Sequence, residues 1–333
     1  MVFRKTVSAA VALLLIAASG VICTNVGVSI DASAAPAPAY PTKTVRMVVN
    51  AAPGGANDII GRLIAKSMTD GLGHAVVLDN RGGAGGNVGA EIVAHAAPDG
   101  HTLLNCTTSV VVSQSLYPKL NYQLRELAPI SLIANFPLAI TVNSSVPVKN
   151  VKELIALAKQ RGGLRYGSTG AGSVSHLTGV LLNSVAGIDN VHVPYKGAGP
   201  MMVALLGGEI EMGVANVFSA VSNVKTGRLR VLAVSSLKAV PALPGVPPLA
   251  AQFPGFETSM WHGFFVTAGT PAPIIAILNA ELVKALRLPA VREAVENGGG
   301  ETVGNTPEQF AALIERDAQK YAKLVQISGA RAD

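Results

Sequence analysis

Three stretches of this chain combine residue types and spacings that could do chemistry. The first runs Tyr166-Gly167-Ser168-Thr169-Gly170-Ala171-Gly172-Ser173-Val174-Ser175-His176-Leu177-Thr178 and reads as a strand end, a small polar turn and a helix. The hydroxyls of Ser168, Thr169 and Ser173, with backbone N–H groups of the Gly170-Ala171-Gly172 turn and the helix start, can surround a carboxylate without any arginine. A helix cap alone would account for Ser173 or Ser175, but capping needs one hydroxyl and not four. Ser173 and His176 lie three apart on one helix, which invites a nucleophile and base. Against that, no G-x-S-x-G elbow is present and no third group is evident to orient the ring. His176 is therefore expected to pack under the loop or to touch a ligand.

The second stretch is Ala51-Ala52-Pro53-Gly54-Gly55-Ala56-Asn57, followed by Asp58. Adjacent glycines let the backbone approach a ligand, and the helix opened by Asp58 turns free N–H groups and the positive end of its dipole into the turn. Such a turn suits an anion, although a tight strand-to-helix connection would also use Gly54-Gly55. Facing turns of this kind, Ala52, Pro53, Gly54, Gly55 and Asp58 on one side and Ser168 to Ser173 with His176 on the other, would hold a small anion from both sides. Thr107 and Thr108, in a polar turn after the third strand, and Asn216, after the strand at 211–215, complete the candidate binding set.

The third stretch, Gly83-Ala84-Gly85-Gly86-Asn87-Val88-Gly89, resembles a loosened dinucleotide loop. The G-x-G-x-x-G order is not met, and the strand about twenty residues on ends in Leu104-Asn105 with no acid for a ribose. The histidines at 74, 95, 101, 176, 192 and 262 show no paired or H-E-x-x-H spacing and no cysteine cluster exists, so neither a metal nor another cofactor is expected.

The elements that position these turns alternate. Short β-branched runs at 45–49, 75–80 and 102–105 read as strands, and helical spacing follows the first two, as a parallel doubly wound sheet requires. Two more strands are expected at 127–134 and 138–142, then a hinge at 143–147. Asn150 with Glu153 three residues on is a capping signature for the next helix. Compact α/β units continue to about 235, a proline-rich loop spans 241–248, and 261–267 is a strand returning to the first domain. Thr306, Pro307 and Gln309 open a last helix whose Phe310, Leu313, Ile314, Tyr321 and Leu324 recur at helical spacing. The C-terminal helices are expected to pack on the first domain. The expectation is α/β with two lobes, each a doubly wound sheet with flanking helices. Lobe I takes 42–142 plus 262–333, lobe II takes 143–261, and a cleft lies between them.

Length and composition agree: 333 residues with 49% apolar content suit two domains, and 14% charged residues fit neither a disordered nor a nucleic-acid-binding chain. Arg4-Lys5 before an apolar run at 7–18, with small residues around Ala34, reads as a secretory signal over 1–34. A retained anchor is the alternative, but Gly20, Cys23, Thr24 and Asn25 break the apolar run. Ile22 before Cys23 argues against lipid attachment there. Without 1–34, Cys106 is the only cysteine, so the fold holds by packing, and 24 basic residues stand against 19 acidic ones. These are scattered, which suits anionic solutes and not a nucleic-acid surface.

Laid end to end, the motifs resemble the Bug-type substrate-binding receptors of tripartite tricarboxylate transporters. The matching pieces are Pro53-Gly54-Gly55 with Asp58 and Arg62, Asn80-Arg81 through Gly89, and Asp99-Gly100-His101-Thr102-Leu103. They continue as Gly167 to Leu177, His192-Val193-Pro194-Tyr195-Lys196-Gly197, Leu205-Leu206-Gly207-Gly208, and Pro254-Gly255-Phe256-Glu257 with Trp261 and Gly263. The resemblance implies a type II, Venus-flytrap periplasmic binding protein, monomeric, that closes on a small carboxylate and delivers it to membrane transporter subunits. It also implies one carboxylate between the first-lobe loop, largely through waters, and the second-lobe loop, by direct bonds. Departures are Ala51-Ala52 in place of an apolar-proline entry, Ala204 where an acid is usual, and Leu237-Lys238 in place of an arginine-containing pair. An envelope serine hydrolase using Ser173 and His176, and a sensor presenting ligand to a membrane kinase, are the rival readings.

Overall fold

The computed structural model describes residues 39–332. The expected signal segment lies outside them. The first half of the chain alternates β1 (Val45–Val49), α1 (Ala56–Leu72), β2 (Val76–Asn80), α2 (Asn87–Ala94), β3 (Thr102–Thr107) and α3 (Ser109–Leu116). The long strand β4 (Leu127–Asn143) follows. Next come α4 (Val151–Arg161), β5 (Arg165–Ser168), α5 (Val174–Ala186), β6 (Val191–Pro194), α6 (Ala198–Gly207), β7 (Met212–Asn216), α7 (Val217–Lys225) and β8 (Leu229–Val234). The chain closes with β9 (Ser259–Thr267), α8 (Ala272–Ala285), α9 (Pro289–Asn297), β10 (Glu301–Thr302) and α10 (Pro307–Ser328). Local signals set the ends where they were clear. Asn150 accepts from the Glu153 amide at the start of α4, and Thr306 and Gln309 form a reciprocal capping box on α10.

The strands run β2-β1-β3-β9-β4-β7-β5-β6, with β8 and β10 also paired to β4. Strand β1 pairs in parallel with β2 and β3, and β5 in parallel with β6 and β7. Between these two parallel sets lie the antiparallel β9 and β4. Parallel pairs need crossover helices, here α1, α2, α5 and α6, and helices α1, α3, α5 and α7 start at the C-terminal ends of β1, β3, β5 and β7. Their N-termini therefore gather along one edge of each half.

Two expectations need correction. The strands expected at 127–134 and 138–142 are one strand, because proline and a register shift do not end β4. Pro137 falls where β4 stops pairing with β9, and Leu138 begins pairing with β7. A residue lacking an N–H is tolerated at such a change of partner. The C-terminal helices also do not pack on the first half alone. Helices α8 and α9 lie on α1, whereas α10 packs against α3, β4 and α5.

Trp261 anchors this junction. It is fully buried, lies edge-on to Phe310 at 5.2 Å, and donates its indole N–H to Asp317 on α10 at 2.9 Å. Lys320 completes the group with an ion pair to Asp317 at 2.9 Å.

Candidate functional site

The turn between β5 and α5 is held in one shape by its own hydroxyls. Ser173 is the N-cap of α5, accepting from the His176 amide while donating to the Gly170 carbonyl at 2.6 Å. Ser175 Oγ lies 2.9 Å from both Thr169 Oγ1 and Ser173 Oγ and accepts from the Thr169 amide at 2.8 Å. The Gly170 amide donates to Ser168 Oγ and the Gly172 amide to His176 Nδ1. Among the described residues, the amides of Ala171, Val174 and Ser175 have no acceptor within the protein. Three free N–H groups beside three clustered hydroxyls, at the positive end of a 13-residue helix, make a seat for an anion. Gly172 is required because φ is +71° and a Cβ there would come within 2.4 Å of Leu116.

This turn lines a cavity of about 290 Å³. From the second half come Thr169 through Ser175 and Asn216; from the first come Gly85, Thr107, Ser109 and the inner face of α3, and Leu138 and Met260 add apolar walls. Asn216 caps α7, its Oδ1 accepting from the Ser219 amide, which leaves its NH2 group to donate. Of the residues expected from sequence, the cavity brings together Thr107, Thr169, Gly170, Ala171, Gly172, Ser173 and Asn216.

It does not bring in the others. Ser168 is fully buried, with its hydroxyl donating to the Gly170 carbonyl and 2.7 Å from His192 Nε2. Thr108 is fully buried too, and its hydroxyl accepts from the Trp261 amide at 2.8 Å. His176 sits beneath the turn with Nδ1 engaged by Gly172. Ala52, Pro53, Gly54 and Gly55 form an exposed loop outside the cavity lining. Asp58, nearly buried, works within that loop: it accepts from the Gly54 amide at 2.9 Å, from Arg62 and from Asn80. Burial opposes its charge, but hydrogen bonds from Arg62, the Gly54 amide and Asn80 outweigh it and hold the carboxyl below its ordinary range.

The first-half glycine turn that reaches the cavity is instead the 83–89 stretch, whose likeness to a dinucleotide loop its glycine spacing argued against, through Gly85. Gly82 of that turn rests against the backbone of Ala51 and Ala52, so one glycine loop backs the other. Sequence reasoning also passed over Val112, Ser113, Leu116, Tyr117, Leu138, Met260 and Ala332. None carries a motif, and only the helical register of 109–116 could have signalled the first three.

Behind the turn, His176 and His192 stack with ring centroids 3.7 Å apart and an interplanar angle of 11°. Both pKa values are pushed down to about 4, in each case chiefly by burial, with the His192 charge adding to the effect on His176. His262, buried in β9, is lowered to about 4 by the same cause. A depressed histidine pKa favours the neutral ring in the folded state. Its stability contribution is therefore complete above the unfolded value of about 6.5 and is lost as pH falls from there to about 4. We expect Tm to be flat from pH 8 to 6.5 and to drop steadily from 6.5 to 4, read by circular dichroism. A Tm unchanged down to pH 4.5 would contradict the stacked neutral pair.

The nucleophile and base arrangement is absent. Ser173 Oγ caps a backbone amide, and the His176 ring nitrogen nearest the turn takes the Gly172 N–H. The other Ser–His contact, Ser168 with His192, involves a serine with no exposure. Among the described residues no group of three or more His, Cys, Asp or Glu side chains could hold a metal ion.

Comparison with known proteins identifies the family. The family model described as "Tripartite tricarboxylate transporter family receptor" matches residues 60–330. Protein BugT of Bordetella pertussis is 34% identical over 322 residues, covering 95% of this chain and 98% of its own. A solved TctC solute binding protein from Polaromonas has a TM-score of 0.79 at 29% identity, over 86% of this chain and 99% of that one. A solved R. palustris protein with adipate has a TM-score of 0.74 at 31% identity, over 88% and 99%. The chain thus belongs to the tripartite tricarboxylate transporter receptor family and has its two-lobed α/β periplasmic-binding-protein fold.

Proposed function

We propose that this chain is an exported periplasmic solute receptor that captures a small carboxylate and hands it to the membrane subunits of a tripartite tricarboxylate-type transporter. One observation carries the reading: a cavity lined from both halves of the sheet, with the free amides of Ala171, Val174 and Ser175 and the hydroxyls of Thr169, Ser173 and Ser175 on one wall. Neutral donors at a helix N-terminus bind a carboxylate without a buried counter-charge to desolvate. The adipate held by the R. palustris relative supports the same ligand chemistry. The protein works as a monomer without catalysis, cofactor or nucleic acid.

Its lobes exchange where β4 changes partners, between Pro137 and Leu138, and where β9 begins at Ser259. On this reading the boundaries fall a few residues before the 142/143 and 261/262 divisions read from sequence. Lobe I is then residues 42–137 with 259–333, and lobe II is 138–258. Rotation about these two crossings opens and closes the cavity, and the closed state is selected because only there do both lobes reach the ligand. Segment 1–34 directs export and is removed.

A Ser173→Ala/Ser175→Ala pair tests the seat. Losing one cap costs about 1 kcal/mol of stability, so the variant folds, and affinity for any binding carboxylate should fall at least tenfold by titration calorimetry. Wild-type affinity in this variant would remove the carboxylate from the α5 turn. Turnover of an ester panel that vanishes in Ser173→Ala would replace the receptor with a hydrolase.

A further inference from the structure

The cavity that receives the carboxylate is uneven in its chemistry. Its donors cluster on one wall, the α5 turn. The opposite walls are built chiefly from Val112, Leu116, Leu138 and Met260, with Val174 at the base of the turn and the hydroxyls of Ser113 and Tyr117 between them. Among the described residues that line it, none is Lys, Arg, His, Asp or Glu. Of the remaining polar groups, Ser113 and Tyr117 add two neutral hydroxyls, and the others are committed in part. Thr107 and Ser109 bond to each other through their hydroxyls at 3.0 Å, and the Ser109 amide points at Thr107 Oγ1. Asn216 spends its carbonyl on Ser219 and keeps its NH2 group to donate.

An ionised group needs either water or several strong donors, and burying one without them costs several kcal/mol. One carboxylate meets that requirement at the α5 turn. A second carboxylate at the other end of a short ligand would face mostly methyl and thioether groups, with single neutral donors such as Ser113, Tyr117 and Asn216 in place of a helix N-terminus and no cation to offset its lost hydration. An apolar body in the same place would gain about 25 cal/mol for each Å² removed from water.

Resting on the receptor reading above, we propose that the ligand of this chain is a monocarboxylate with an apolar aliphatic or aromatic body, and that the cavity discriminates against dicarboxylates of the same length. Selection comes from Val112, Leu116, Leu138 and Met260, which exclude a second charge, and not from the carboxylate seat, which treats both classes alike. The half-buried Met260 on β9 is the position from which the preference is most easily reversed. A lysine there can lay its stem along the wall and carry its ammonium group to the ligand's far end.

The test is titration calorimetry of the purified protein at pH 7.5 with hexanoate, benzoate, adipate, malate and hexanamide. Expected is binding of hexanoate or benzoate at least tenfold tighter than adipate and malate, with no heat from hexanamide. Met260→Lys should move the hexanoate-to-adipate ratio at least tenfold toward adipate. Adipate or malate binding as tightly as hexanoate and benzoate would overturn this inference and leave the receptor reading standing. Tight binding of hexanamide, or no binding by any of the four carboxylates, would overturn both.

Discussion

Replacing Gly172 by alanine is expected to cost at least about 30-fold in affinity for the bound carboxylate, the equivalent of ~2 kcal/mol. Two terms combine. A side chain at φ +71° costs roughly 1–2 kcal/mol in the left-handed region. The added Cβ would also lie within 2.4 Å of Leu116, a cavity wall residue, so relief of the clash moves either the wall or the turn. If the turn moves, the Gly172 amide leaves His176 Nδ1 at 3.0 Å and the free Val174 and Ser175 amides lose their aim. The apo protein should keep its far-UV spectrum and lose only a few degrees in Tm, because the turn sits at the surface of the core. Titration calorimetry of this variant against wild type reads the effect. Equal affinities would mean that the turn's shape does not matter to binding.

The largest loss of stability is expected from Trp261→Ala. The indole is fully buried among Phe265, Phe310 and α10, and its N–H is the donor to Asp317, which is itself 1% exposed. Truncating a buried tryptophan costs about 3–5 kcal/mol through lost burial and the cavity left behind. Asp317 adds to that, since its Oδ2 loses the indole donor while only the ion pair from Lys320 to Oδ1 is kept. The sum is a large fraction of an ordinary stability of about 5–15 kcal/mol. A fall in Tm of about 10 °C follows at roughly 2–4 °C per kcal/mol. Because Trp261 is the chain's one tryptophan, unfolding should be followed by circular dichroism and not by emission. Trp261→Phe should fall between the two, keeping ring packing but not the bond. A Tm within 3 °C of wild type for the alanine variant would contradict the anchoring of α10 through this residue.

Most of the secondary structure was legible because its signals are local. A β-branched run before a glycine turn marked β1, the polar glycine turn itself marked the end of β5, and the Asn150–Glu153 and Thr306–Gln309 caps marked α4 and α10 at their observed starts. What was not legible depended on partners distant in sequence. Pro137 reads as a strand end, yet β4 continues through it because the change of pairing partner falls there. The α3 segment opens with three consecutive valines, a composition that favours strands, and is helical because Val110, Val111 and Val112 pack into the core beside α10.

The proposed site divides the same way. That the Ser168 to Ser173 stretch forms a polar turn at a helix start follows from its residues. Which hydroxyls face the cavity does not: Ser168 turns toward His192 on β6, twenty-four residues on, while Ser175, read as a spare cap, joins the hydroxyl cluster. On the other side, Asp58 folds the Gly54 amide back onto itself, and the neighbouring Gly85 turn reaches the cavity instead. Composition drew attention to the right class of loop, but packing chose between two loops of that class.

Whether a carboxylate sits on the N-terminus of α5 is read from a crystal structure with the tightest-binding carboxylate of the panel. Carboxylate oxygens are expected within hydrogen-bond distance of the Val174 and Ser175 amides and of the Thr169 or Ser173 hydroxyl, with Gly85 and Thr107 closing from the other side. A carboxylate bound elsewhere, at the exposed loop 52–55 or against the His176–His192 pair, with those amides still free, would contradict this placement.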